Sequence, residues 1–275
     1  MATYVVNGAS KGIGFEFLRQ LSVDPKNTVI GIVRSPESVQ PKVASEIGRD
    51  NIHIIQGDLD DYDSLKKASD ATAKITNGAI DYLIANGGRL ALTSAFVGLG
   101  ELGQDHKVME EELAADFKTN VIGNINLFNV FMPLLLKGKE KKGLFISSGH
   151  GDLDLINNVH LHFAGPYAVG KAAMNVALAK LNAEYAKEGV MLISISPGVV
   201  DTGNGFLDTD KLSEKELKTV AEFGAKMAKT SPDFKGPISP EESVRMVLGV
   251  FHKASAANGD GGSFVSHFGN NKQWV

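Results

Sequence analysis

The stretch TYVVNGASKGIGFEFLRQL, Thr3 to Leu21, opens with a β-branched and aromatic run, crosses three glycines and ends in a helical pattern. Thr, Tyr and Val favour a strand. Gly8, Gly12 and Gly14 follow G-x-x-x-G-x-G, a variant of the dinucleotide fingerprint G-x-G-x-x-G. Glycines there allow a tight turn and a close backbone approach, so the N-terminus of the following helix can face a pyrophosphate. The alternative is a strand-to-helix turn that merely needs glycine. Its place in the first strand–helix unit favours the dinucleotide.

The same alternation continues outward. NTVIGIV (27–33) precedes PESVQPKVASEIG (36–48), and IHIIQ (52–56) precedes YDSLKKASDATAKI (62–75). IDYLIAN (80–86) precedes a loop and then a long helical pattern from Met109 to Leu136. GLFISS (143–148) precedes a loop and a helix from Pro166, VMLISIS (190–196) precedes a polar segment and SPEESVRMVLGVFHKAS (239–255), and GSFVS (262–266) comes last. Nearly continuous apolar strands separated by helices imply a parallel sheet covered on both faces. We read a single doubly wound Rossmann-type α/β domain, residues 1–275, with about seven strands and sites at their carboxyl ends. Ser239 to Glu242 reads as a capping box with Pro240 at the first helical position. Long loops are expected at 87–108, 149–165 and 203–240, the last with helical pieces, and loops of that length are usually functional.

Composition narrows the function. The 275 residues are 43% hydrophobic and 22% charged, with a net charge of -4. That balance offers no basic field for nucleic acid. There is no cysteine, which excludes disulfides, thiolate metal sites and cysteine nucleophiles. The most apolar run, Leu127 to Leu136, is too short to span a membrane and contains Asn129 and Pro133. The N-terminus reads as strand and turn from the outset, so the protein is expected to be soluble and cytoplasmic.

Arg34 stands twenty residues beyond Gly14, at the end of the second apolar run. An acid there would bind the 2′-hydroxyl of NAD, whereas an Arg suits the 2′-phosphate of NADP. Lys11 adds a second cation, and the alternative for either is a solvated surface charge. Tyr167 and Lys171 are four apart, hence on one face of a helix. A nearby ammonium favours a phenolate, so such a tyrosine can donate a proton to a carbonyl oxygen as hydride arrives at the carbon. The same spacing is common on ordinary helices.

In order and spacing, the chain resembles the short-chain dehydrogenase/reductase family over nearly its whole length. The matching pieces are the three glycines, Asp58 in GDLD, ANGG (85–88), Asn120 in NVIG, ISS ending at Ser148, YAVGK (167–171) and PGVVDT (197–202). Among subgroups it is most similar to fungal ketoreductases. The resemblance implies that Tyr167 is the general acid/base, that Lys171 lowers its pKa and holds the nicotinamide ribose, and that Ser148 hydrogen-bonds the substrate oxygen. Asn120 would support a water-mediated proton relay to Lys171. Gly8, Ser10, Lys11, Gly12, Ile13, Gly14, Arg34, Asp58, Leu59, Asn86, Gly87, Pro197, Gly198, Val200 and Thr202 would hold the cofactor, NADP(H), together with Tyr167 and Lys171. Thr202 would take the carboxamide.

Some positions depart from the family. Asn7 replaces the usual Thr, with a side chain that can also brace a turn. Ala85, Gly87 and Gly170 vary their motifs. The position thirteen before Tyr167 is Asp154, where many members have the serine. Ser148 is preferred because it ends the strand.

His150, Asp152, Asp154, His160 and His162 lack the spacing of a helical zinc motif, and no metal is expected. Ser148, His150 and Asp152 are too close in sequence to converge as a triad. The expected function is an NADPH-dependent ketoreductase acting on a ketone or secondary alcohol, with a place in natural-product biosynthesis. The alternatives are an NADP(H)-binding regulatory protein without turnover, and a family member doing dehydration, epimerisation or cyclisation. Two long apolar helical stretches, 109–136 and 166–186, together with the resemblance, point to a homodimer or homotetramer.

Overall fold

The computed structural model describes residues 1–203, 210, 212–231 and 234–274. Seven strands form its centre: β1 (Thr3–Asn7), β2 (Thr28–Val33), β3 (Ile52–Gln56), β4 (Tyr82–Ala85), β5 (Lys142–Ile146), β6 (Met191–Ser196) and β7 (Phe264–Ser266). They pair in parallel throughout, in the order β3-β2-β1-β4-β5-β6-β7. This is the doubly wound sheet expected from the alternation of apolar runs and helices. The order reverses between β1 and β4, which opens a crevice at their carboxyl ends.

The helices are α1 (Gly12–Leu21), α2 (Pro36–Glu46), α3 (Tyr62–Thr76), α4 (Leu92–Ala95), α5 (Leu99–Leu102), α6 (His106–Phe117), α7 (Asn124–Leu135), α8 (Leu153–Val159), α9 (Gly165–Tyr185), α10 (Glu214–Thr230) and α11 (Pro240–Lys253). Successive strand residues face opposite layers. Tyr4 and Val6 join Phe17, Leu18 and Phe251 of α1 and α11 in one core, while Val5 joins Phe128 and Phe131 of α7 and Met174 of α9 in the other. A third, smaller cluster brings Val159, Leu161 and Phe163 under Met227 and Phe223 of α10. It roofs one end of the crevice.

All three expected loops contain helices. The segment 87–108 holds α4 and α5, and 149–165 holds a 3-10 turn (Gly149–Gly151) and α8. These helices are too short to show a hydrophobic period, and of α4, α5 and α8 only α8 has a side-chain cap. The Asp152 carboxylate accepts the Leu155 N–H at 2.7 Å and starts α8. The third segment holds α10, opened by a full capping box between Ser213 and Glu216; its residues 204–209, 211 and 232–233 lie outside the described residues. At Ser239 the hydroxyl accepts the Glu242 N–H at 3.1 Å, so α11 begins at Pro240 as its sequence predicts. The long helical pattern expected from Met109 begins earlier, at His106, because Asp105 accepts the N–H groups of Lys107 and Val108. It also changes pitch: Lys118–Gly123 winds as a π-helical turn between α6 and α7. Among the described residues no helix is long and apolar enough to cross a membrane.

Candidate active site

A cleft of about 1090 Å³ runs along the carboxyl ends of the strands. Its floor is the glycine turn. Gly8 and Gly12 hold φ of +72° and +56°, a region that favours glycine. A Cβ on Gly14 would stand 2.1 Å from the Gly8 carbonyl oxygen, so the third glycine is required by close approach. The Asn86 amide donates to that same Gly8 oxygen at 3.0 Å and ties the β4 end to the turn. No side chain caps α1. Its first N–H groups therefore lack intrahelical acceptors at the head of a helix whose dipole favours an anion. This cradle suits a pyrophosphate, so a dinucleotide fits the residues present.

Ser10, Lys11 and Ile13 line the cleft beside the turn, and Arg34 lines it at the end of β2. Lys11 and Arg34 are exposed, with no ion-pair partner among the described residues. Asp58, Leu59 and Gly87 form the next stretch of wall, and Pro197, Gly198, Val200 and Thr202 the opposite one. Thr202 packs onto the turn, its Cβ 3.1 Å from where a Cβ of Gly12 would lie. Asn7 does not brace the turn through its side-chain oxygen. That oxygen is buried without a partner among the described residues, 2.1 Å from where a Cβ of Gly87 would lie. It keeps the 87 position bare.

Beyond the cofactor wall, Ser148 and Tyr167 meet. The Ser148 hydroxyl lies beside the Tyr167 phenol and lowers its pKa, but burial dominates and pushes it up to about 12. Lys171, one helical turn on, is buried and donates to the Ile146 carbonyl oxygen at 2.7 Å. Its Nζ stands 5.4 Å from the Tyr167 ring centre and 4.6 Å from that of Phe145. Burial pushes its pKa down to about 7, against the pull of Asp116. In the chain alone, then, the groups that shift Tyr167 are burial, Ser148 and Asp116, and the lysine expected to lower its pKa is not among them. Asp154 lies exposed on α8 and is not part of the cleft wall. The placement favours Ser148 as the serine facing the tyrosine.

Asn120 sits in the π-helical turn, fully buried. Its side-chain oxygen accepts the Arg89 N–H at 2.7 Å, and its amide donates to the Arg89 carbonyl and to Asp116 Oδ1, each at 2.8 Å. The Arg89 guanidinium bridges Asp116 at 2.7 Å and Glu112 at 2.8 Å. Burial raises the fully buried Asp116 to about 6, with Arg89 opposing. The sequence signal for Asp116 was its place four residues before Asn120, on the same helical face. Arg89 had none.

Of the residues set aside as loop, His150 turns its ring to the cleft. His160 ends α8 in a left-handed conformation and His162 is exposed. The apolar walls at this end, including Phe96, Phe163, Phe223, Phe234 and Trp274, come from distant segments and had no local signature.

The short chain dehydrogenase family model matches residues 2–211. The chain is 49% identical to the short chain dehydrogenase virK of Hypocrea virens, over 100% of both chains. It is 46% identical to the short-chain dehydrogenase/reductase iacC of Pestalotiopsis fici, again over 100% of both. The solved structure of NADPH-bound carbonyl reductase from chicken fatty liver is 22% identical and shares the fold, with a TM-score of 0.74 over 100% of this chain and 99% of that one. Strand order, glycine turn and full-length similarity agree: the chain belongs to the short chain dehydrogenase family of oxidoreductases, with relatives among fungal members.

Proposed function

We propose that the protein is an NADPH-dependent ketoreductase that interconverts a ketone and its secondary alcohol. The observation that carries this is the pairing of the Tyr167 phenol with the Ser148 hydroxyl in the same cleft as the glycine turn, with Lys171 buried behind them. The bound nicotinamide supplies the hydride that reaches the carbonyl carbon. Ser148 donates a hydrogen bond to the carbonyl oxygen and orients it. Tyr167, protonated at neutral pH, gives its proton to that oxygen as negative charge develops there. Lys171 as an ammonium favours the phenolate left behind. The glycine turn and the α1 N-terminus hold the pyrophosphate, and Arg34 and Lys11 hold the 2′-phosphate. The breadth of the cleft and its aromatic walls fit a bulky ketone of the kind made in natural-product biosynthesis.

The test is kcat/KM with NADPH and with NADH across a panel of activated ketones, in the parent and in Arg34→Asp. A charged hydrogen bond contributes roughly 1.5–3 kcal/mol, so losing one should weaken NADPH use about tenfold to a hundredfold. The parent should prefer NADPH, and the substitution should reverse or erase the preference. A parent that prefers NADH, or a ratio that does not move, would show Arg34 to be only a surface charge. No turnover of any ketone would defeat the reductase reading itself.

A further inference from the structure

Two residues beyond Ser148, the chain makes a single 3-10 turn that leaves His150 little freedom. The Ser148 hydroxyl oxygen accepts the His150 N–H at 3.3 Å, Gly149 N–H donates to Ser196 Oγ at 3.0 Å, and Gly151 N–H donates to the Ser148 carbonyl at 2.9 Å. The imidazole stands edge-on to the Tyr167 ring, with centres 6.0 Å apart and planes at 74°. It meets Phe163 in the same way, at 5.3 Å and 68°. The ring thus borders the place where the reacting carbonyl must lie, between Tyr167 and the apolar roof of Phe163 and Phe223.

The imidazole is poorly served by its own chain. Its Nδ1 is buried with no hydrogen-bond partner among the described residues. Burial pushes its pKa down to about 4, so it is neutral at physiological pH. A neutral imidazole has one donor nitrogen and one acceptor nitrogen. Nδ1 is enclosed by the chain, so Nε2 is the nitrogen left for a ligand in the cleft, where it can pair with a hydroxyl or a carbonyl oxygen according to the tautomer. An imidazole with no partner of its own, at an end of the cleft that Leu155, Phe163, Phe223, Phe234 and Trp274 also line, is where a ligand's second polar atom gains most.

Building on the ketoreductase reading, we propose that His150 is a specificity-determining residue whose Nε2 hydrogen-bonds a second oxygen of the substrate, and that the preferred substrate is an apolar ketone bearing that oxygen close to the carbonyl. The closeness follows from the contact between the His150 and Tyr167 rings, whose centres are 6.0 Å apart.

The experiment compares 1-tetralone with 2-hydroxy-1-tetralone, bicyclic ketones that differ by one hydroxyl, in the parent, His150→Phe and His150→Gln. His150→Phe keeps an aromatic ring against Tyr167 and Phe163 and removes both nitrogens, while His150→Gln keeps a donor and an acceptor. The parent should favour the hydroxylated ketone in kcat/KM. The ratio between the two ketones should fall roughly tenfold to a hundredfold in His150→Phe, the range of a lost buried hydrogen bond, and recover in part in His150→Gln. A ratio unchanged in His150→Phe, whether both rates fall together or neither falls, would overturn the assignment and leave His150 as packing. Fluorescence quenching measures the affinity of the NADPH-bound protein for each ketone in parallel. A hydroxyl-dependent affinity that His150→Phe abolishes, without turnover of either ketone, would sink the reductase reading and uphold the role of His150. Turnover of both ketones with no effect of the hydroxyl would sink that role alone.

Discussion

At position 167 one oxygen atom separates the proposed proton donor from an inert ring. Tyr167→Phe removes that oxygen and leaves the packing against His150 in place. NADPH binding should survive, and turnover should fall by about 10²-fold or more, the loss typical of a missing general acid. Near-normal turnover would rule Tyr167 out. The two serine candidates separate by the same logic. Ser148 lines the cleft beside the phenol, whereas Asp154 is exposed on α8 outside the cleft. Ser148→Ala should therefore lower kcat far more than Asp154→Ala, and the reverse order in steady-state kinetics would contradict the placement. Both residues were in view in the sequence. Their choice turned on where β5 ends, a boundary that the hydrophobic run ILE-SER-SER locates only to within a residue or two.

The element that matters most for the chemistry is the π-helical turn between α6 and α7. It carries Asn120 on one side and follows Asp116, which joins Asn120 to the Arg89 guanidinium. A π turn inserted in an α-helix often marks a functional site. Here it packs against α9, the helix that carries Lys171. Gly170 of α9 makes the close approach possible, since a Cβ there would stand 3.3 Å from Asn120 Cβ. Asp116 is the charge that favours the Lys171 ammonium against burial. Lys171 is charged below its pKa and neutral above it, so kcat/KM for reduction should decline as pH rises through about 7. Asp116→Asn removes the favourable charge, and the decline should move to lower pH. The check is a pH–rate profile of both proteins, with the fold of the variant verified by circular dichroism. A profile that keeps its inflection would leave Asp116 with the structural task of holding Asn120 and Arg89.

At the scale of the whole molecule, one flank remains apolar after the fold is complete. Phe117, Ile122, Val169 and Val176 are 43%, 48%, 45% and 63% exposed, on α6, the π turn and α9. Val169 and Val176 are seven apart, on one face of α9, and α6 packs against α9. We propose that a second copy of the chain covers this flank, giving a dimer or a tetramer built from such dimers. Sedimentation at micromolar concentration should find no monomer in the parent, and Val176→Lys should shift the distribution toward smaller species. A monomeric parent would refute the assembly.

The amino-acid sequence by itself determined the strands, the layers, the glycine turn and the Tyr167–Lys171 pair. Each of these is written in a local pattern or a short spacing: nearly continuous apolar runs such as TYVVN and VMLISIS, three glycines within seven residues, a step of four along a helix. Local periods are legible because they depend only on backbone geometry. The tertiary structure alone decided what each side chain faces. It brought Arg89 to Asp116 across 27 residues and Trp274 to the wall of a cleft that begins at Asn7. It set His150 against Tyr167, and it placed both Tyr167 and Lys171 so deeply that burial moves the phenol up to about 12 and the ammonium down to about 7. A pKa responds to the solvent and charges that surround a group in three dimensions. No window of sequence contains that environment, because it exists only once segments far apart in the chain have packed together.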